Sequence, residues 1–122
     1  MASTGALIHH ILPDVEALTH DVLFGTVWQD ARLSKRDRSL VTLAVLLAQR
    51  ADAPLRGHVL RGLGHGLTLD EITALVTHVT LYAGWGVAEH AARILADMDI
   101  GHLHADEPCT KICCPDHTAR AD

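Results

Sequence analysis

From Arg38 to Arg50 the chain reads "RSLVTLAVLLAQR", and between Val41 and Ala48 only Thr42 is not apolar. Ser34 stands ahead of this run as an N-cap, with Asp37 in the third position as a short capping box. The pattern predicts a helix over 35–50 that is polar for one turn and then apolar on nearly every side. Such a helix has to be covered all round. A chain of 122 residues buries only a modest share of its surface. The economical solution is a helical bundle that shares its core with neighbouring copies, so self-association is expected. The amino-acid usage fits: 48% of the chain is apolar, yet only four residues are aromatic. Leu, Val, Ile and Ala must build the core, and they pack well between helices.

The remaining periodicity is also helical, with no convincing strand. One helix follows Pro13, with Asp14 and Glu16 near its positive end, and runs to Gly25. A connector carrying Trp28 leads to the apolar helix. Pro54 suits the first turn of a third helix, which would leave Asp52 ahead of its start and end at "GHG", residues 64–66. Thr68 and Glu71 form a fuller capping box for a fourth helix that stops at Gly84, and a fifth follows "GWG". The expected class is therefore all-α, a compact domain of about five to six helices over residues 1–100. Residues 101–122 form a Cys- and His-containing tail with two prolines and no helical period.

Charge and hydropathy exclude several roles. A net charge of −5 and the lack of a basic stripe argue against a nucleic-acid partner. No apolar run approaches the roughly 18 residues of a membrane span. The N-terminus has no basic segment of the kind a signal peptide uses. All three cysteines lie in the last fourteen residues, unlike a secreted disulfide scaffold. A soluble cytoplasmic protein is the expectation.

Chemistry-bearing residues gather on the third helix. "APLRGHVLRGLGHG" places His58, Arg61 and His65 at offsets of three, four and seven, on one helix face. His78 and Tyr82 lie one turn apart on the fourth helix, amid apolar residues where a histidine is usually hydrogen-bonded in the core. Trp28, Tyr82 and Trp85 are candidate pocket walls. His65 precedes Gly66 at a helix end, where a cationic side chain suits the dipole. The expected division is that His58 faces a site while His65 serves the helix end, with His65 kept as a candidate substrate contact. In the tail, Cys109, Cys113, Cys114 and His117 offer thiolate and imidazole donors, although the spacing matches no recognised metal motif.

"VWQDARLSKRDRSLVTLAVLLA", "GHVLRGLGHGLTLDEI" and "THVTLYAGWGVAEHAARIL", in that order, resemble the carboxymuconolactone decarboxylase family, from about Asp14 to Met98. The resemblance implies an all-helical fold assembling as a trimer or hexamer, and CO2 removal from a small carboxylated lactone without metal or organic cofactor. It makes His58 the acid/base, with Arg38 as carboxylate anchor and His78 as a supporting group. The disulfide-reductase branch of the superfamily carries cysteines seven and four residues before the family histidine. Here those positions are Ala51 and Pro54, and its glutamate position is Ser39. The decarboxylase branch commonly has acids where this chain has Thr26 and Pro54. Two alternatives stand beside the decarboxylase reading: a non-catalytic or metal-sensing member using the tail, and an acid-base enzyme with another substrate.

Overall fold

The computed structural model describes residues 4–100. Every regular element in that span is helical: α1 (Thr4–Ile11), α2 (Pro13–Leu18), α3 (Lys35–Gln49), α4 (Asp52–Gly64), α5 (Leu69–Ala83) and α6 (Gly86–Asp97). A π-helical turn at Thr19–Phe24 and a 3-10 turn at Val27–Gln29 connect α2 to α3.

The caps read from the sequence are formed. The Ser34 hydroxyl accepts the Asp37 amide at 3.0 Å, and Thr68 accepts the Glu71 amide at 3.1 Å. The Glu71 carboxylate does not fold back to complete its box; it takes the Arg36 guanidinium instead. α5 stops at Gly84, whose φ of 108° few other residues adopt.

Two boundaries differ from expectation. α1 lies ahead of Pro13 as a separate helix, broken from α2 at Leu12 because the residue before a proline is pushed out of helical geometry. α4 begins at Asp52, so Asp52 is its first residue and Pro54 sits inside the first turn, where a missing N–H costs little.

α3 is the central element and packs against α4, α5 and α6. Its Leu43 and Leu47 join Leu55 and Val59 of α4, Ile72 of α5 and Val87 of α6 in a closed core. Only about 10 Å³ of space remains among these side chains. Gly62 leaves room for the Leu67 side chain as it folds back under the end of α4. A Cβ there would stand 3.0 Å from Leu67 and 3.7 Å from the Ser39 Cβ. α3 is not covered on all sides within one chain, since Val41 is 58% and Val45 50% exposed. Ile11, Leu18 and Val22 of the N-terminal segment are exposed as well. No described helix is long and apolar enough to cross a membrane.

Candidate active site

The face of α4 that carries His58, Arg61 and His65 turns toward the connector ahead of α3. There Trp28 is almost fully buried. Its indole stacks on the His58 imidazole, with ring centroids 6.0 Å apart and planes 22° from parallel. The same indole meets His65 at 5.5 Å and Phe24 at 6.1 Å. Arg61 lays its guanidinium over the Phe24 ring at 4.3 Å, a cation–π contact that holds the charge beside the two histidines. Ser39, fully buried on α3, is 2.9 Å from His65 Nδ1 through its hydroxyl.

His65 has both of the places expected of it, at the helix end and beside His58. It closes α4, its amide bonded to the Arg61 and Gly62 carbonyls. Its ring nevertheless turns inward to Trp28 and Ser39, so both imidazoles belong to one cluster. The ring is held there by the Ser39 hydroxyl, 2.9 Å from its Nδ1.

Electrostatics single out His58. Its pKa is lowered from the ordinary 6.5, first by burial, then by the Arg61 charge and by His65. At neutral pH its ring is neutral. Among the described residues its buried Nδ1 has no hydrogen-bond partner, and neither has Arg38 Nε. A buried polar nitrogen without a partner is costly, and such groups gather where a ligand completes them.

Arg38 lies on a neighbouring cleft of about 610 Å³, lined by Thr26, Val27, Asp30, Arg32, Leu33 and itself. It donates through Nη2 to the Asp30 carbonyl at 2.8 Å. Arg32 grips the Asp30 carboxylate through both its Nε and Nη2, and this holds that carboxyl below the usual range. With Asp30 occupied by Arg32, the Arg38 guanidinium keeps free donors at the cleft wall. Thr26, one of the two positions without an acid, lines the same cleft.

His78, Tyr82 and Trp85 are elsewhere. The His78 and Tyr82 rings pair at 5.0 Å, but both side chains are exposed rather than set in the core. They line an open groove of about 340 Å³ between α3 and α5, with Ala44, Val45 and Ala48. That groove shares no lining residue with the His58 cluster. Trp85, just after α5, is 73% exposed. Cys109, Cys113, Cys114 and His117 lie outside the described residues. Among the described residues, no group of three or more His, Cys, Asp or Glu is gathered as a metal ion would require.

Three participants escaped the sequence reading. They are Arg61, Phe24 and Ser39, to which the sequence assigns no role in a site. Only the helical offset of Arg61 signalled its place. The other two reach the cluster through packing between elements.

A sequence model of the carboxymuconolactone decarboxylase family matches residues 13–97, which include every residue of the His58 cluster. The 4-carboxymuconolactone decarboxylase of Acinetobacter baylyi is 42% identical over 74 residues, covering 61% of this chain and 54% of the relative. A nitrosuccinic acid decarboxylase of Metarhizium robertsii is 36% identical over 72 residues, covering 59% of this chain and 50% of the relative. The chain therefore spans about half the length of the curated relatives it matches.

Proposed function

The chain belongs to the carboxymuconolactone decarboxylase family, and on that footing we propose that it is a carboxy-lyase that removes CO2 from a small organic diacid, with His58 as its proton carrier. One observation supports this most: a dehydrated imidazole, stacked on a buried tryptophan and flanked by a cation, with a ring nitrogen left unpartnered.

The chemistry asks for such a group. When the carbon–carbon bond to the carboxylate breaks, CO2 leaves and the electron pair stays on the substrate carbon. A neighbouring acceptor must hold that pair until a proton arrives, so that R–CO2⁻ and H⁺ become R–H and CO2. The two relatives' names describe acids that carry such an acceptor, a lactone carbonyl in one and a nitro group in the other. With the electron sink inside the substrate, no cofactor is needed to supply one. Each named acid also has a second carboxylate, and an arginine fork is suited to hold it. Arg38 at its cleft and Arg61 on the histidine face are the candidates.

His58 is neutral before substrate arrives. A carboxylate bound beside it favours the imidazolium and pulls its pKa back up, so the substrate itself loads the proton that carbon will need. His65, held by Ser39, is positioned to steady the charge or contact the substrate. Trp28 shields the pair from water, which strengthens each of these interactions.

Self-association as a trimer or hexamer, a cytoplasmic location and a role in the breakdown of aromatic compounds go with this reading. The exposed Val41, Val45 and Tyr82 support the first, as an apolar face that a neighbouring copy can cover. In such an assembly His78 and Tyr82 would join a site only across a subunit contact.

The substrate is tested by offering enzymatically generated 4-carboxymuconolactone and nitrosuccinic acid to the purified protein and measuring CO2. Release from the first points to a lactone acid. Release from the second alone points to an open-chain acid. Release from neither, by an assembled protein, would remove the decarboxylase reading for both classes.

A further inference from the structure

A second set of charges lies on the other side of α4. Arg50, Asp52, Arg56, His90, Arg93 and Asp97 line a cleft of about 220 Å³ between the start of α4 and α6. At about 100° per residue, Asp52 and Arg56 share a face while His58 points roughly 200° away from Arg56. The cleft and the Trp28 cluster have no residue in common.

Its charges do not balance. Arg56 pairs with Asp97 at 3.1 Å. Asp52 stands 3.2 Å from His90 Nε2 without hydrogen-bond alignment, so that buried nitrogen has no hydrogen-bond partner among the described residues. Among the described residues, Arg50 and Arg93 have no ion-pair partner. In a chain with 15 acidic and 10 basic residues, a cleft lined by three arginines and two aspartates runs against the composition.

Arg50 is also held in place by unusual means. Its backbone is left-handed, with φ 54°, a region that residues other than glycine rarely enter. Its guanidinium rests on Gly86 at the start of α6. A Cβ on Gly86 would meet Arg50 Nη2 at 2.3 Å and Cζ at 2.7 Å. α4 starts at the rim without a side-chain cap on its amides, which adds positive potential there.

We infer that this cleft is a binding site for a small oxyanion, a carboxylate or phosphate group held by Arg50 and Arg93 with the His90 imidazole as a third donor. Two guanidinium forks match the paired oxygens of either group. The cleft is smaller than the roughly 300 Å³ at which drug-sized ligand sites begin, so a small anion fits and a large cofactor does not.

The test is calorimetric titration of the full chain with inorganic phosphate and, separately, with succinate, both at constant ionic strength. With Arg38→Met and Arg61→Met removing the arginines proposed to hold substrate, the site predicts saturable binding of one anion per chain, weakened about tenfold or more by Arg50→Gly, Arg93→Met and Gly86→Ala, as for lost charge-assisted bonds. His58→Ala leaves it unchanged, so this outcome is separate from the decarboxylase proposal. Arg50→Gly suits the left-handed backbone, and Gly86→Ala keeps every charge while displacing one guanidinium, so neither result is explained by misfolding. Tighter phosphate binding assigns a phosphoryl ligand, and tighter succinate binding a carboxylate. The inference is overturned if neither anion saturates, or if the Arg50 and Gly86 variants bind as the parent does.

Discussion

The two long faces of α4 carry similar residue types and meet different surroundings. On one, His58 lies half-buried against Trp28 and titrates low because water has been taken from it. On the other, the Arg56 and Asp97 side chains keep 37% and 62% of their exposure, and solvent screens their pairing. The difference comes from what the fold sets opposite the helix: a buried aromatic turn on one side, the polar flank of α6 on the other. A histidine and an arginine become chemically distinctive through their neighbours rather than through their presence on a helix.

The largest blow to the contrast is Trp28→Ala, which removes the plate that dehydrates His58. Emptying that space should cost about 3–5 kcal/mol in urea unfolding and most of the turnover with it. His58→Ala comes next. It should leave the unfolding midpoint nearly in place and lower the CO2-release rate about 10²–10⁴-fold, the usual worth of a placed acid or base. Ser39→Ala is smaller. Loss of one hydrogen bond to His65 should cost about 1 kcal/mol, with a fall in rate that Ser39→Thr partly restores if the hydroxyl is what matters.

The dehydrated face also predicts a pH response. Because the His58 pKa is lowered when folded, the unfolded chain holds more protons between that value and 6.5. Its contribution to stability is complete above pH 6.5 and is lost as the pH falls from there to the folded value, below which nothing further changes. Urea midpoints should therefore drop between pH 7.5 and 5.5 by more in the parent than in His58→Gln. Exposed His20, raised by its bond to Asp21, acts in the opposite direction, and the difference between the two proteins cancels it. The smallest effect belongs to the wet face: Arg56→Met should change stability by less than about 1 kcal/mol, as for other exposed ion pairs. A loss of several kcal/mol there would erase the contrast.

Local signals carried most of the fold. Ser34, Thr68 and Gly84 mark helix ends through their own side chains or backbone, and each end lies where those residues put it. α4 gives no such notice, since Ala51 has no capping group, and nothing local marks Asp52 as its first residue. α1 lies before the proline that marked the expected first helix. The histidine row was visible as helical spacing. What it does not show is the inward turn of His65, which depends on Ser39, twenty-six residues away on another helix. His78 and Tyr82 show the same limit from the other side: spacing placed them on one face of α5, but not what that face meets.

The account rests on His58 moving a proton in a decarboxylation. The direct measurement is CO2 release from 4-carboxymuconolactone by the parent protein and by His58→Ala side by side, with ultracentrifugation to show that both assemble alike. The account predicts turnover by the parent and a loss of at least about a hundredfold in the variant. Equal rates from the two proteins would contradict it.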